Sequence, residues 1–184
     1  KKLMKESWAN SDINYPQSEI IKQSDNIDSI LDNLSSPIVI KPTSSSGSQG
    51  VSIIANKNDI KKAYSEAMKY SDEGDVMFEE YIEGSHHDVN GLFWKGKFYK
   101  GGVGDRFFTP LPYPVPKYGY YPSVLSIDEK NSLYELVERG AAAMGISHGP
   151  VKGDCVFKDG VAFVYEISPR FHGDIFTANT LEYL

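Results

Sequence analysis

The sequence predicts an α+β fold of two lobes with mainly antiparallel sheets, rather than one doubly wound parallel sheet. Residues 38–54 and 149–167 each contain two short strand-like runs, and hairpin pairing of such runs gives antiparallel sheets. A third strand over 76–82 ends at the segment 83–85, where the two lobes are expected to meet. The predicted domains are lead-in helices over 1–36 from a preceding N-terminal domain, lobe 1 over 37–82, and lobe 2 over 83–184, truncated at its C-terminal end.

Lobe 1 and its lead-in are predicted from apolar spacing and capping residues. Residues 38–40 are β-branched throughout, which is typical of a buried strand, and this strand ends at Lys41-Pro42. Residues 51–54 form the returning strand across a serine/glycine loop. The remaining elements are helices over 2–9 and 25–34, a helix over 59–69 capped by Asn58 with Ile60, Ala63, Ala67 and Tyr70 on one side, and the strand over 76–82.

Lobe 2 is predicted from alternation and turn residues. His87, Val89, Gly91 and Phe93 alternate with polar neighbours, which is typical of a strand. Residues 101–122 are rich in glycine, proline and tyrosine and are predicted to form a long ordered loop, with a strand kink in its first glycines. A turn at Lys95-Gly96 leads into a strand over 97–99. A helix is predicted over 128–144, capped by Ser126 or Asp128 and ended by Gly145. Strands over 149–157 and 161–167 follow, joined by a turn at 158–160.

Composition excludes several classes of protein. Hydrophobic residues make up 40% and charged residues 24% of the 184 residues, so a packed core is expected. The net charge of -6 disfavours a broadly basic surface for nucleic acid. The single cysteine, Cys155, can form neither an internal disulfide nor a CxxC zinc site, which fits a reducing, cytoplasmic compartment. No membrane span or signal peptide is expected, and a start without Met and an end inside a predicted helix over 176–184 indicate a piece of a longer protein.

The first candidate site is the serine- and glycine-rich loop 44–50. Small residues let backbone N–H groups close on an anion, and the hydroxyl groups add further donors. The loop lacks the Gly-Lys-Ser/Thr ending of a P-loop, and a mobile solvent-exposed loop is the alternative. Lys41 favours the phosphate interpretation because it ends a buried strand just before the loop, although such a lysine is otherwise usually a surface residue.

The strongest candidate site is a pair of acids on one predicted hairpin. Asp154 and Glu166 lie at equal distances from a turn centred on Gly160, so their carboxylates come out opposite each other. Like charges directly opposite destabilise a sheet unless divalent cations lie between them. Ser168 shares the face of Glu166, and Arg170 follows as a fork for a phosphoryl or carboxylate oxygen. The alternative is a solvated hairpin with scattered acids.

Four further features are weaker candidates. The segment 79–84, extended and then broken, offers a main-chain donor and acceptor for an adenine edge, with a solvated edge strand as the alternative. His86 and His87 point to opposite faces of a strand, so a shared metal site is disfavoured. Cys155 is expected to be a buried structural thiol. Two roles are equally consistent with the sequence for Arg106, an anchor for a carboxylate and an exposed loop residue.

Five runs of the sequence, taken in order, resemble the ATP-grasp superfamily, and they cover nearly the whole chain. The matching runs are 37–42, 44–51, 78–84, 149–154 and 165–170. Each run is weakly specific by itself, and the specificity comes from their order. Within the superfamily the chain is similar to carboxylate–amine ligases, such as amino-acid ligases, carbamoyl-phosphate synthase large subunits and purine-pathway ligases. The resemblance implies the ATP-grasp fold, with a nucleotide cleft between the lobes.

The resemblance also implies a set of ligand-binding residues. ATP would be held by Lys1, with Lys2 as the alternative match, and by Val39, Lys41, Ser46, Gly47, Ser48, Gly50, Val51, Glu79, Glu80, Tyr81, Ile82 and His87. Two Mg2+ or Mn2+ ions would be held by Asp154, Glu166 and Ser168, where many members have Asn in place of Ser168. The catalytic residues would be Arg170, on the transferred phosphoryl group, and Lys152, on the substrate, with a solvated lysine as the alternative.

The resemblance implies an ATP-dependent carbon–nitrogen ligase. A substrate carboxylate attacks the γ-phosphate to give an acylphosphate, and an amine then displaces phosphate. The expected partners are therefore small-molecule carboxylate and amine substrates, with no nucleic acid and no membrane, and a homo-oligomer is left open. A nucleotide-binding regulatory module without turnover, and a phosphotransferase to a non-carboxylate acceptor, are the alternatives. The 184-residue chain by itself is expected to bind nucleotide but to turn over little.

Overall fold

The computed structural model describes residues 1–25, 27 and 37–173. The chain forms two compact units, of which the first contains Lys1–Lys2, Pro16–Ile82 and Phe107–Tyr118, and the second contains Leu3–Tyr15, Glu83–Arg106 and Gly119–Leu184. Each unit has its own mainly antiparallel sheet and its own helix packed against it, so the predicted α+β class is confirmed. Apart from residues 25 and 27, the predicted helix over 25–34 lies outside the described residues, as does the predicted ending over 176–184.

The chain begins with the predicted helix α1, Lys2–Trp8, and then enters the first unit, whose four-stranded sheet has the order β1-β4-β2-β3. The elements of this unit are β1 Ser18–Lys22, β2 Ile38–Pro42, β3 Ser52–Ile54, a 3-10 turn Lys57–Asp59, α2 Ile60–Met68 and β4 Asp75–Glu80. All three strand pairs are antiparallel, and Ile38 lies opposite Ile54 in the predicted hairpin of β2 and β3.

Strand β1 corrects the expectation that residues 1–36 hold only helices. Ile21 is 1% exposed and lies opposite Val76 of β4, so this short run is a full member of the sheet. The run was missed because its two isoleucines are flanked by charged residues and show no alternation. Strand β4 ends at Glu80 rather than Ile82.

The core of the first unit lies between the sheet and α2. Its buried side chains come from the strands and from one face of the helix, and they include Ile21, Ile38, Ile40, Phe78, Ile60, Ala63 and Ala67. Asn56, not Asn58, begins the helical segment, because the Asn56 side chain accepts a hydrogen bond from the Asn58 N–H at 3.0 Å. Tyr70, predicted to face the core, is 40% exposed just beyond the end of α2.

The second unit is built on a five-stranded sheet in the order β7-β6-β5-β8-β9. Its elements after α1 are β5 Ser85–Trp94, β6 Lys97–Phe108 as far as Arg106, β7 Pro116–Tyr120 from Gly119 onward, α3 Ile127–Ala143, β8 Gly149–Lys158 and β9 Val161–Ser168. Strand β5 pairs antiparallel with both β6 and β8, and β8 pairs antiparallel with β9. The predicted alternation along β5 is confirmed, since His87, Val89 and Phe93 are all buried.

Strand β6 is longer than the sequence predicts. It continues to Phe108, so the first part of the predicted loop over 101–122 is strand. The pairing of β5 with β6 shifts between Asn90 and Gly91 and leaves Gly101 as an extra residue. This β-bulge confirms the predicted kink in the glycine-rich run.

Helix α3 has well-defined ends. The Ser126 hydroxyl accepts a hydrogen bond from the Glu129 N–H at 3.3 Å, and the Glu129 carboxylate accepts one from the Ser126 N–H at 2.8 Å. This capping box selects Ser126 over Asp128 as the cap. Gly145, with φ 79°, follows the helix as predicted. Within the part of the chain that the structure describes, no helix combines the length and apolar character that crossing a membrane would require.

The core of the second unit lies between α3, α1 and the sheet. Its buried residues include Trp8, Leu133, Leu136, Val137, Val151, Val164 and Ile167. Trp8 is fully buried, and its Nε1 donates a hydrogen bond to the Gly140 carbonyl oxygen at 3.0 Å. The first residues of the chain are therefore part of this core.

Gly153→Ala is expected to lower the free energy of unfolding by about 1–3 kcal/mol, the usual cost of overpacking a core. A Cβ at Gly153 would lie 2.4 Å from Cγ2 of Val137, a stiff, fully buried side chain on α3. Urea denaturation measures the change. Gly173→Ala is the matched control, because the nearest heavy atom to its added Cβ is Nη1 of Arg170 at 3.6 Å. Equal losses in the two variants would contradict the packing argument.

Candidate functional site

Lys41 forms a buried ion pair in the first unit. Its Nζ lies 2.5 Å from Oε1 of Glu79, and the two side chains are 7% and 3% exposed. The sheet register explains the pair: Val39 of β2 lies opposite Glu79 of β4, and Lys41 is two residues further on the same face. The ammonium group is therefore held inside the unit just before the loop 44–50, and the surface alternative for Lys41 is wrong.

The loop 44–50 has an unusual backbone. Three of its residues lie in the left-handed region, with φ of 66°, 60° and 70° at Gly47, Ser48 and Gly50. Lys1 donates a hydrogen bond from Nζ to the backbone carbonyl oxygen of Ser45, whereas Lys2 is the first residue of α1. Of the two alternatives, Lys1 is therefore the lysine that contacts the loop. Ser46 and Gly47 are exposed, and Ser48, Gly50 and Val51 are half-buried.

A small cavity adjoins this loop within the first unit. Its volume is about 150 Å³, and it is lined by Ser48, Gly50, Val51, Ser52, Glu66, Tyr70, Tyr113, Pro114 and Val115. Sites for drug-sized ligands usually measure roughly 300–1,000 Å³. The cavity is therefore too small to be a nucleotide site by itself.

The segment 79–82 leaves the sheet after Glu80, before the strand end that the sequence predicts at Ile82. Glu79 is buried with Lys41, whereas Glu80 is exposed and its N–H donates to the Gln17 carbonyl oxygen at 2.8 Å. Tyr81 and Ile82 follow the end of β4, and Ile82 is buried. This segment is thus strand as far as Glu80, and Tyr81 and Ile82 lie beyond the end of β4, which is the extended run followed by a break that the adenine interpretation needs.

Three acids lie side by side on neighbouring strands of the second unit. Asp154 of β8 lies opposite Glu166 of β9, as predicted, and opposite Asp88 of β5. Sequence reasoning missed Asp88, since the pairing of β5 with β8 joins segments far apart in the chain. Like charges in this arrangement repel, so the row requires cations.

Two basic side chains neutralise this row of acids in the structure. Lys152 lies on the same face of β8 as Asp154, and its Nζ is 2.6 Å from Oδ1 of that carboxylate. Arg106 bridges two acids, with Nη1 3.0 Å from Oδ1 of Asp88 and 3.1 Å from Oδ1 of Asp154. Nε2 of His172 lies 3.0 Å from Oδ2 of Asp88. Both alternatives that made Lys152 and Arg106 solvent-exposed are therefore wrong.

The acids respond differently to these surroundings. Burial raises the pKa of Asp154 to about 6, with Lys152 opposing and the charges of Asp88 and Glu166 adding to the rise. Burial also acts to raise the pKa of Asp88, but its hydrogen bond to His172 and the charge of Arg106 hold that pKa below the usual value. An additional positive charge beside Asp154 would therefore lower the pKa of this acid and favour its ionised form.

Other residues expected in the site lie in different surroundings. Ser168 is half-buried opposite Lys152, next to the acids. Arg170 is exposed, and its Nη1 donates to the Phe171 carbonyl oxygen at 2.9 Å, so the structure does not bring it to the acids. His87 is 2% exposed, with both ring nitrogens bonded to protein groups, which corrects its expected nucleotide contact.

The donor set of Asp154, Glu166 and Ser168 fits a hard divalent cation. All three offer oxygen ligands, which Mg2+ prefers, and the acids face each other in register. Burial is the main cause of the raised pKa of Asp154, and the charges of Asp88 and Glu166 add to it, so a bound cation would favour the ionised acid. In the described residues, however, no three His, Cys, Asp or Glu side chains form a ready metal cage. Lys152 and Arg106 both form ion pairs with Asp154 in this structure.

Comparison with known proteins identifies the fold. A D-alanine–D-alanine ligase A of Clostridium perfringens is 33% identical over 128 residues, which cover 60% of this chain and 42% of that protein. Two solved structures are similar. An L-amino acid ligase from Bacillus licheniformis has a TM-score of 0.80 and 19% identity, and the match covers 98% of this chain and 41% of that chain. The VanG D-Ala:D-Ser ligase from Enterococcus faecalis has a TM-score of 0.79 and 20% identity, and the match covers 92% of this chain and 51% of that chain.

The chain spans less than half the length of the curated relatives it matches. The likeness to solved structures of 19% and 20% identity shows the fold. The family match is more extensive: the ATP-grasp domain family matches residues 34–179, which include the loop 44–50, Lys41 and the row of acids. The chain belongs to the ATP-grasp domain family.

Proposed function

We propose that this chain is the ATP-binding domain of a cytoplasmic, Mg2+-dependent ligase that activates a carboxylate as an acylphosphate and joins it to an amine. The observation that supports this most strongly is the facing pair Asp154 and Glu166, with Lys152 and Arg106 within ion-pair distance of Asp154. Phosphoryl transfer needs mainly positioning and charge neutralisation, which such a cluster can supply.

In the first unit, Lys41 and the loop 44–50 are proposed to hold the nucleotide phosphates, with Lys1 and Val51 beside them. Glu79 is a positioning residue, because its carboxylate fixes the Lys41 ammonium group at the end of β2. Left-handed backbone at the loop glycines lets N–H groups turn toward an anion. Main-chain groups of the segment 79–82 are proposed to read the adenine edge, beside Val39.

In the second unit, Asp154, Glu166 and Ser168 are proposed to hold Mg2+ or Mn2+, which would supply positive charge to the phosphate oxygens. Lys152 and Arg106 are proposed to exchange part of their contact with Asp154 for the negative charge of the substrates. Arg170 is proposed to bind a phosphoryl or carboxylate oxygen, for which its exposed fork is free to turn.

The substrate class is suggested by the relatives. A D-alanine–D-alanine ligase, an L-amino acid ligase and a D-Ala:D-Ser ligase all carry amino acids in their names. We therefore propose that the whole protein joins small molecules of the amino-acid type, one through its carboxylate and the other through its amine.

The proposal is tested by ADP release from the full-length protein with ATP, Mg2+ and a panel of amino acids and small carboxylates. We expect ADP only with a matching carboxylate, and hydroxylamine should then trap the acylphosphate as a hydroxamate. ATP binding without ADP release under any condition would favour the regulatory module. ADP release without a hydroxamate would favour a non-carboxylate phosphate acceptor.

The 184-residue chain should bind nucleotide by itself. Thermal-shift titration with ATP and Mg2+ should raise the Tm by an amount that grows with the logarithm of ligand concentration once sites are full. ATP with EDTA is the control, and it should stabilise the chain less. An unchanged Tm in both titrations would contradict the nucleotide assignment, and ADP release should stay near background without the rest of the protein.

A further inference from the structure

The second unit contains a serine, a histidine and an aspartate connected in series, away from the row of acids. Ser85 Oγ lies 2.7 Å from Nε2 of His87, and Nδ1 of the same ring lies 2.9 Å from Oδ1 of Asp105. Ser85 begins β5 and is exposed, whereas His87 and Asp105 are 2% and 7% exposed. The reactive hydroxyl group is thus at the surface and its supporting groups are inside.

Strand pairing builds this series. His87 lies opposite Asp105 across β5 and β6, so their side chains share one face. Ser85 is two residues before His87 and lies on that same face. Asp88 is adjacent to His87 in sequence and therefore points to the opposite face, with the row of acids.

Asp105 is held in a fixed orientation. Its Oδ1 accepts a hydrogen bond from the Ser123 hydroxyl at 2.5 Å, and its Oδ2 accepts one from the Val124 N–H at 3.0 Å. A carboxylate with two such donors stays in place and offers only acceptor oxygens to the imidazole. The proton of neutral His87 is therefore assigned to Nδ1, from the hydrogen-bond pattern.

This tautomer makes Nε2 the acceptor for the Ser85 hydroxyl. The other acceptor in reach, the Phe157 carbonyl oxygen, is 3.4 Å away, so the shorter contact to Nε2 dominates. Burial lowers the pKa of His87, which Asp105 only partly offsets, so the ring is neutral at neutral pH and its Nε2 carries a lone pair that can accept a proton. A buried carboxylate, an oriented imidazole and an exposed hydroxyl group are the parts of an activated serine nucleophile.

We propose that Ser85 is a nucleophile that accepts acyl groups from small activated esters, at a site separate from the proposed ligase chemistry. Ser85 Oγ would attack the ester carbonyl carbon, while His87 Nε2 takes the hydroxyl proton. The bond from that carbon to the leaving oxygen then breaks, and the proton passes from Nε2 to the leaving group. The products are an acyl-Ser85 ester and a free alcohol or phenol.

The test uses p-nitrophenyl acetate with the full-length protein. We expect a burst of p-nitrophenol of up to one equivalent, and peptide mass spectrometry should locate acetyl on Ser85. Ser147 is an internal control, because its Oγ lies 3.1 Å from Nδ1 of His148, and among the residues that the structure describes no carboxylate is hydrogen-bonded to that ring, which packs edge-on against Trp94. The burst should disappear in Ser85→Ala and persist in Ser147→Ala.

The Asp105→Asn variant tests whether Ser85 reacts because His87 and Asp105 activate its hydroxyl group or only because the residue is exposed. If the series operates, this change should slow acetylation of Ser85 by about 100-fold or more, since general-base assistance is worth roughly 10²–10⁴. Circular dichroism checks the fold of each variant. If Asp105→Asn does not fold, the comparison of Ser85 with Ser147 in the unaltered protein decides. Acetylation of Ser85 no faster than that of Ser147, or an unchanged rate in folded Asp105→Asn, would overturn the proposal, whatever the ADP-release result.

Discussion

Replacing Asp154 with asparagine should reduce Mg2+-dependent ATP turnover by the full-length protein by about 100-fold, the usual effect of losing one group that stabilises transition-state charge. Asp154 is the buried centre of the row of acids, and asparagine keeps its shape while removing the charge that would hold a cation. Steady-state ADP release over a Mg2+ titration measures the effect.

The same variant should change how stability depends on pH. The folded-state pKa of Asp154, about 6, exceeds the ordinary value of 3.8, so the protonated acid is favoured in the folded protein. Its contribution to stability is therefore fully present below pH 4 and is lost as the pH rises through 6. In urea unfolding without Mg2+, the free energy of unfolding of Asp154→Asn should increase relative to that of the unaltered protein as the pH is raised from 4 to 7.

Asp159→Asn is the matched control for this prediction. Asp159 lies in the exposed turn of the same hairpin with φ 50°, a conformation that asparagine tolerates well. It should retain full ATP turnover and an unaltered pH profile of stability. Full activity in Asp154→Asn, or equal losses in the two variants, would show that Asp154 is not a metal ligand.

Lys41→Met should destabilise the first unit by about 3–5 kcal/mol, the usual cost of leaving one member of a buried ion pair without the other. Methionine keeps the apolar stem but withdraws the ammonium group from Glu79, which is 3% exposed. Adding Glu79→Gln should recover much of the loss, because the buried charge is then gone. Urea denaturation of the single and double variants measures both changes.

Lys69→Met is the control for burial. Lys69 and Glu66 also lie 2.5 Å apart, but their side chains are 67% and 40% exposed, so little change in stability is expected.

The nucleotide role of Lys41 is measured separately, by ATP affinity in the folded double variant. The affinity should fall by an amount fitting one charge-assisted contact, about 1.5–3 kcal/mol. An unchanged ATP Kd would reject the phosphate role of Lys41.

Local patterns were nearly sufficient where a tight turn joins two strands. Asp159 and Gly160 form the turn between β8 and β9, and counting from this turn predicted that Asp154 and Glu166 lie close together. The turn pairs Lys158 with Val161, and a one-residue shift between Asp154 and Cys155 then places Asp154 opposite Glu166 instead of Tyr165. The capping box of α3 and the alternation along β5 are equally local signals. These features depend on neighbours in sequence, and the sequence contains them.

The remaining parts of the site depend on distant pairings. Arg106 reaches the row of acids because the bulge at Gly101 shifts the pairing of β5 with β6 by one residue, and such a shift exchanges the faces of a strand. Asp88 joins the row through the pairing of β5 with β8, and Glu79 meets Lys41 through β2 and β4. Neither pairing is visible in a local window, which is why Asp88 and the contact between Lys41 and Glu79 were not predicted.

The burial of Trp8 determines the order in which the elements of the second unit can pack together during synthesis. Its hydrogen-bond partner Gly140 follows it by 132 residues, and β9 also closes on the start of the chain through the Val164 N–H and the Asn14 carbonyl oxygen. At roughly 5–20 residues per second, a ribosome needs on the order of ten seconds to supply these partners. Throughout that interval the nascent chain carries a large aromatic side chain without its burial site, so α1 can dock only after α3 and β9 have been made.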